Sequence, residues 1–63
     1  MPSLAEIEAT VERMEARYAG SIHFAAYRAL CRRFAADLKD RRDLALAKSA
    51  ALMLIKQLEG DDV

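Results

Sequence analysis

Apolar residues recur along this chain at alternating steps of three and four, a spacing that helices satisfy and strands do not. Leu4, Ile7, Val11, Met14 and Tyr18 form one series. Phe24, Tyr27, Cys31, Phe34 and Leu38 form a second, widened by Leu30, and Leu44, Ala47, Ala51, Leu54 and Leu58 form a third. At about 100° per residue each series falls on one narrow stripe of an α-helix. The expectation is an all-α fold with helices over approximately 4–19, 22–39 and 44–59.

Local signals mark the helix ends. Ser3-Leu4-Ala5-Glu6 has the form of a capping box, in which Ser3 accepts from the Glu6 amide and the Glu6 carboxylate reaches back. Gly20-Ser21 should end the first helix: glycine suits a left-handed C-cap, and Ser21 can cap the second helix. Extending the second helix past Lys39 would put Arg41 inside its apolar arc, and an unpaired buried charge is costly. A change of direction is therefore expected within Asp40-Arg41-Arg42-Asp43, with Asp40 or Asp43 as N-cap. The i,i+4 pairs Asp37/Arg41 and Lys39/Asp43 would equally suit one uninterrupted helix. Gly60 fits a C′ position, and 60–63 should form a frayed tail.

Size limits what such helices can do alone. With 63 residues the chain is one domain, and a domain this short buries only ~60% of its unfolded surface. A disulfide cannot help, because Cys31 is the only cysteine. Cys31 and His23 are the only soft metal-ligand candidates, too few for a closed zinc site, so neither metal nor cofactor is expected. Association remains. The expected architecture is a short antiparallel three-helix domain, or a helix followed by a helical hairpin, completed by oligomerisation.

Ten basic and ten acidic side chains cancel, so the total charge favours neither nucleic acid nor an anionic membrane. The Met1-Pro2-Ser3 start has no basic or apolar leader pattern. The apolar run Ala50 to Ile55 is far short of the ~20 residues that span a bilayer. A cytoplasmic location is expected, which suits a lone thiol. The preference for Ala and Arg fits a bacterial or phage source with GC-rich coding.

Charge placement is more informative than the sum. Residues 1–16 are net acidic, 17–42 net basic and 43–63 net acidic. Glu8, Glu12 and Glu15 flank the first stripe; Arg28, Arg32 and Lys39 flank the second on the like-handed side. Folding about Gly20-Ser21 should oppose Glu15 to Arg28, Glu12 to Arg32, and Glu8 to the Lys39 end. That predicts an antiparallel pairing of the first two helices.

The third helix carries more apolar surface than one stripe needs. With Leu44, Ala47, Ala50, Ala51, Leu54, Ile55 and Leu58 assigned to the core, Leu46, Leu52 and Met53 project outside it. A helix apolar nearly all round is normally buried on more than one side. Leu46, Leu52 and Met53 are therefore the expected partner-binding residues, with Tyr18 and Phe24 near the first turn as secondary candidates. Alanine's helix propensity accounts for Ala25, Ala29 and Ala36.

Catalytic chemistry is not expected. His23 reads as a packing residue at a helix start, and Cys31 lies inside an apolar stripe, two turns from His23 and beyond its direct reach. The function expected is a noncatalytic protein–protein interaction module, a small adaptor, chaperone or inhibitor, acting by apolar helix packing and homodimeric. The alternative is a small nucleic-acid-binding regulator using Arg33, Arg41 and Arg42.

Overall fold

The computed structural model describes residues 1–60 and has three helices, α1 (Leu4–Tyr18), α2 (Phe24–Asp37) and α3 (Arg41–Glu59), with no strand among those residues. The all-α three-helix expectation holds. The tail expected beyond Gly60 lies outside the described residues.

Each terminus follows from side-chain chemistry. Ser3 Oγ accepts from the Glu6 amide at 3.2 Å, as in a capping box. The return contact differs from the expectation: the Ser3 hydroxyl donates to the Glu6 carboxylate at 3.4 Å. The turn at residues 19–23 is built without left-handed backbone at Gly20, since Gly60 is the only glycine with positive φ among the described residues. Instead Ser21 organises it. Its amide donates to the Tyr18 carbonyl, its carbonyl accepts from the Phe24 amide, and its hydroxyl accepts from the His23 amide at 3.1 Å.

The second turn is tighter and earlier than expected. Leu38 leaves the helical region, at φ −100° and ψ 120°, and Asp40 caps α3 by accepting from the Arg42 amide at 2.7 Å and the Asp43 amide at 3.4 Å. Arg41 is thus the first residue of α3 and never enters the α2 stripe. Lys39 Nζ donates to the Ala36 carbonyl at 3.2 Å, placing a cation at the negative end of α2. At the far end of α3, Gly60 adopts φ 69°, the C-cap expected of it.

Packing centres on α3. The backbones of α1 and α2 both lie against it, and each approaches α3 more extensively than the other. The Glu8–Arg41 contact joins the starts of α1 and α3, while Ser21 and His23 meet Glu59 near their ends, so α1 runs parallel to α3 and α2 antiparallel to both. Val11 and Tyr18 of α1, Tyr27 of α2, and Ala51, Leu52 and Ile55 of α3 form the core, with Met14, Phe24, Cys31 and Phe34 packed around it. The first two stripes are those the spacing marks. The third is not.

On α3 the residues turned inward are Ala45, Ala51, Leu52 and Ile55, and Leu52 is 0% exposed. This set is rotated from the expected arc by roughly a quarter turn. Leu52 therefore serves the chain's own interior and is unavailable to a partner. Tyr18, buried in the same cluster, is equally unavailable, and Phe24 is half-buried with its ring tilted against Tyr27 at a centroid separation of 5.3 Å. The physical reason for the rotation is that α3 must serve two neighbours at once. Its midline, carrying Leu52 and Ile55, faces the line where α1 and α2 converge, and the small side chains of Ala45 and Ala51 let helices come close on either side.

Candidate protein-interaction surface

The quarter turn leaves the C-terminal end of the three-and-four stripe of α3 on the outside. Leu54 is 59% exposed and Leu58 65% exposed, although both belong to the three-and-four series. Across from them on α2, Leu30 is 44% exposed. Together with Ala26, Ala51 and the half-buried His23 they line an open groove between α2 and α3, a recess of about 150 Å³ floored by Tyr27 and Ile55. Its lining is apolar apart from His23 at one end.

Polar contacts hold that end in place. Glu59 accepts from the Ser21 hydroxyl at 2.8 Å and lies 3.8 Å from His23 Nε2. The C-terminal turn of α3 is thereby tied to the start of α2, which fixes the separation of the two groove walls where Leu58 stands.

Leu46 and Met53 are both 46% exposed, and lie on the opposite flank of α3 from Leu54 and Leu58. They do not form one surface with Leu52, which lies beneath. Met1 and Ile22 stand exposed outside the helices; on α2 and α3 the exposed large apolar set thus keeps two of the three expected α3 residues and gains Leu30, Leu54 and Leu58. Angular counting marks that last pair as core because it takes the clearest stripe to be the inward one.

The expected charge matching between α1 and α2 is replaced by other contacts. Glu15 accepts a hydrogen bond from the Tyr27 hydroxyl at 2.8 Å rather than pairing with Arg28. Burial, and then its contacts with Cys31 and Glu15, push the Tyr27 phenol well above its ordinary range. No ion pair joins Glu12 to Arg32 among the described residues. The two rows line separate open recesses that meet at Glu15. One, about 430 Å³, has Glu8, Glu12 and Lys48; the other, about 300 Å³, has Arg28, Cys31 and Arg32.

Glu8 takes Arg41 instead of the Lys39 end, through two 2.7 Å contacts in which the guanidinium donates to both carboxylate oxygens. Hydrogen bonding to Arg41 holds the Glu8 carboxyl below its usual range, with smaller help from the charges of Arg41 and Lys48. This pair clamps the first turn of α1 to the first turn of α3.

The basic residues of the nucleic-acid alternative are likewise engaged within the chain. Arg33 pairs with Asp37 at 3.1 Å, Arg41 with Glu8, and Arg42 donates to the Pro2 carbonyl at 3.4 Å. Arg41 and Arg42 are engaged because the α3 N-terminus abuts the start of the chain, and Arg33 by an i,i+4 pair within α2. Among the described residues no cluster of His, Cys, Asp and Glu is arranged to hold a metal. No helix among them is long and apolar enough to cross a membrane.

Comparison with known proteins finds no matching family model, no matching curated protein and no matching solved structure.

Proposed function

We propose that this chain is a noncatalytic protein–protein interaction module that acts by apolar helix packing and is completed by homodimerisation, with the groove between α2 and α3 closed by a second copy. One observation carries the reading. After α1 and α2 have packed on α3, the C-terminal end of the α3 stripe, Leu54 and Leu58, with Leu30 across from it on α2, is still open to water. A stripe spaced by three and four residues fits one partner above all, another helix. The chain has two such helical surfaces side by side, and a second copy presents the same pair in return, a two-fold, isologous contact.

The energetics suit a moderate, concentration-dependent association. Full burial of a leucine is worth ~1.5–3 kcal/mol, and Leu30, Leu54 and Leu58 each retain about half of that. Six such side chains in a dimer supply ~5–9 kcal/mol before the costs of association, which are themselves several kcal/mol. The helper classes compatible with this size and architecture, a small adaptor, chaperone or inhibitor in the cytoplasm, share this mode of action.

Sedimentation across a concentration series tests the reading. Dimer should accumulate from micromolar to millimolar chain, and Leu54→Glu with Leu58→Glu should hold the protein monomeric with its helix content intact. A wild-type chain that stays monomeric at millimolar concentration would remove the basis for the proposal.

A further inference from the structure

We infer that residues 28–40 form a strap that opens as one unit while α1, α3 and the first turn of α2 stay folded. The two ends of α2 are held very differently. At its start Tyr27 is 2% exposed, donates to Glu15 of α1, and has the Phe24 ring against it. Just before the helix, His23 lies beside Glu59, which also accepts from the Ser21 hydroxyl. Beyond Tyr27 these attachments stop. No residue from Arg28 to Asp40 is buried, and Cys31, Phe34 and Leu38 are the only half-buried ones. Arg33 pairs with Asp37 and Lys39 with the Ala36 carbonyl, both within the segment itself. Among the described residues, no side chain from Arg28 to Lys39 makes a hydrogen bond or ion pair with α1 or α3.

α1 sets the contrast. Ile7, Val11 and Tyr18 are buried along its whole length, and Glu8 is joined to Arg41 through both carboxylate oxygens. It also lies along α3 more extensively than α2 does. The parallel α1–α3 pair is the better-anchored part of the fold.

The strap runs between two fixed points. Tyr27 is one, and the other is Arg41, held by Glu8 and preceded by the Asp40 cap. Leu38, at φ −100° and ψ 120°, interrupts the helix before that second point and supplies the hinge. From this segment only Cys31 and Phe34 pack against the core cluster. Stretches with few buried apolar groups and exposed backbone bonds open at lower free energy than the core they cover. The strap carries Leu30, part of the α2–α3 groove, and Arg28 and Arg32, which line the recess beside Glu15. Both surfaces are complete only while it is down.

Native-state hydrogen exchange, read residue by residue, tests the strap. The amides of Arg32 to Leu38 should share one opening free energy. Their protection should be at least about tenfold lower than that of Met14 to Tyr18, which close α1 in the same way. Their exchange should also respond little to denaturant, because a local opening exposes little surface. Protection that falls smoothly towards Leu38 is ordinary end fraying and would overturn the inference, as would protection equal to that of α3. Both measurements use dilute, monomeric chain, because a partner seated on Leu30 would hold the strap shut. A variant separates strap from core. Phe34→Ala should lower protection further across 32–38 while the Leu52 and Ile55 amides change by less than about twofold. An equal fall at all of these sites would mean that α2 opens only with the whole domain.

Discussion

Leu52 and Leu54 are near neighbours on α3, and replacing each with alanine should have very different consequences. Leu52 is 0% exposed in the centre of the core, whereas Leu54 is 59% exposed. Truncating a fully buried leucine costs about 2–5 kcal/mol, from lost transfer energy plus the cavity left behind. A chain this size has a total stability of roughly 3–9 kcal/mol, so Leu52→Ala should consume a large share of it, about half at the middle of both ranges. Leu54 is less than half buried, and its loss should cost about 1 kcal/mol. In thermal unfolding followed by circular dichroism, each kcal/mol moves the midpoint of so small a domain by about 4–8 °C. Leu54→Ala should therefore unfold within about 8 °C of the wild type, while Leu52→Ala should lose more than about 10 °C or show no cooperative transition. The comparison belongs at concentrations where sedimentation finds monomer, since dimerisation would add to the cost at Leu54. Equal losses at that dilution, or the reverse order, would show that α3 presents its heptad-like stripe inward and would refute a core centred on Leu52.

Three other perturbations address the parts that hold this arrangement. Asp40→Ala should cost about 1 kcal/mol by removing the acceptor for the Arg42 and Asp43 amides, and thermal unfolding would show it; no loss would mean the cap is redundant. Because the folded chain holds the Tyr27 phenol above its ordinary range, stability is fully present below about pH 10 and falls as pH rises beyond it. Phenolate absorbance and loss of helix signal should appear together there, and Tyr27→Phe should move the alkaline transition upward; ionisation of Tyr27 without unfolding would contradict its burial. The Glu8 carboxyl is held below its ordinary range by Arg41, so the pair contributes above that range and is lost as pH falls through the lowered value. A double-mutant cycle with Glu8→Gln and Arg41→Gln should show favourable coupling near neutral pH that shrinks in acid and in high salt; coupling that persists in strong acid would refute the assignment.

Much of the fold is legible in the residues themselves. Ser3, Asp40 and Gly60 have chemistry that works at a helix end wherever the helix goes, and all three serve as caps. The stripe of α1 points inward because polar residues cover most of the rest of its circumference, and that of α2 because its aromatic residues are its bulkiest apolar groups while the remaining apolar positions, Leu30 aside, are alanine. The side-chain pairings are harder to read. Glu8 reaches Arg41 only because the early turn at Leu38 delivers α3 beside the start of α1, a fact of tertiary geometry that no i,i+4 count contains. Glu15 meets the phenol of Tyr27 because α1 and α2 converge over α3 rather than lying flush along their charged edges.

The orientation of α3 explains why periodicity misplaces part of its exposed apolar surface. When a helix is apolar on three sides, spacing alone cannot say which side belongs to its own chain. The polar residues around Leu52 hold the missing signal. Lys48, Lys56 and Glu59 flank it, and charges beside a leucine ordinarily mark a solvent face. Here Lys48 and Lys56 are half-buried at the margins of α3's contacts, and Glu59 holds the turn between α1 and α2. Long charged side chains can cover apolar neighbours while keeping their heads in water, so a leucine ringed by them can be the best-buried residue in a small bundle. The converse applies to Leu54 and Leu58, whose cleaner stripe has Ala50, Ala51 and Gln57 beside it among the described residues. An apolar seam without charged side chains to shield it is poorly suited to remain in water and well suited to meet another helix, and the region of α3 that most resembles a core is for that reason the region assigned to a partner.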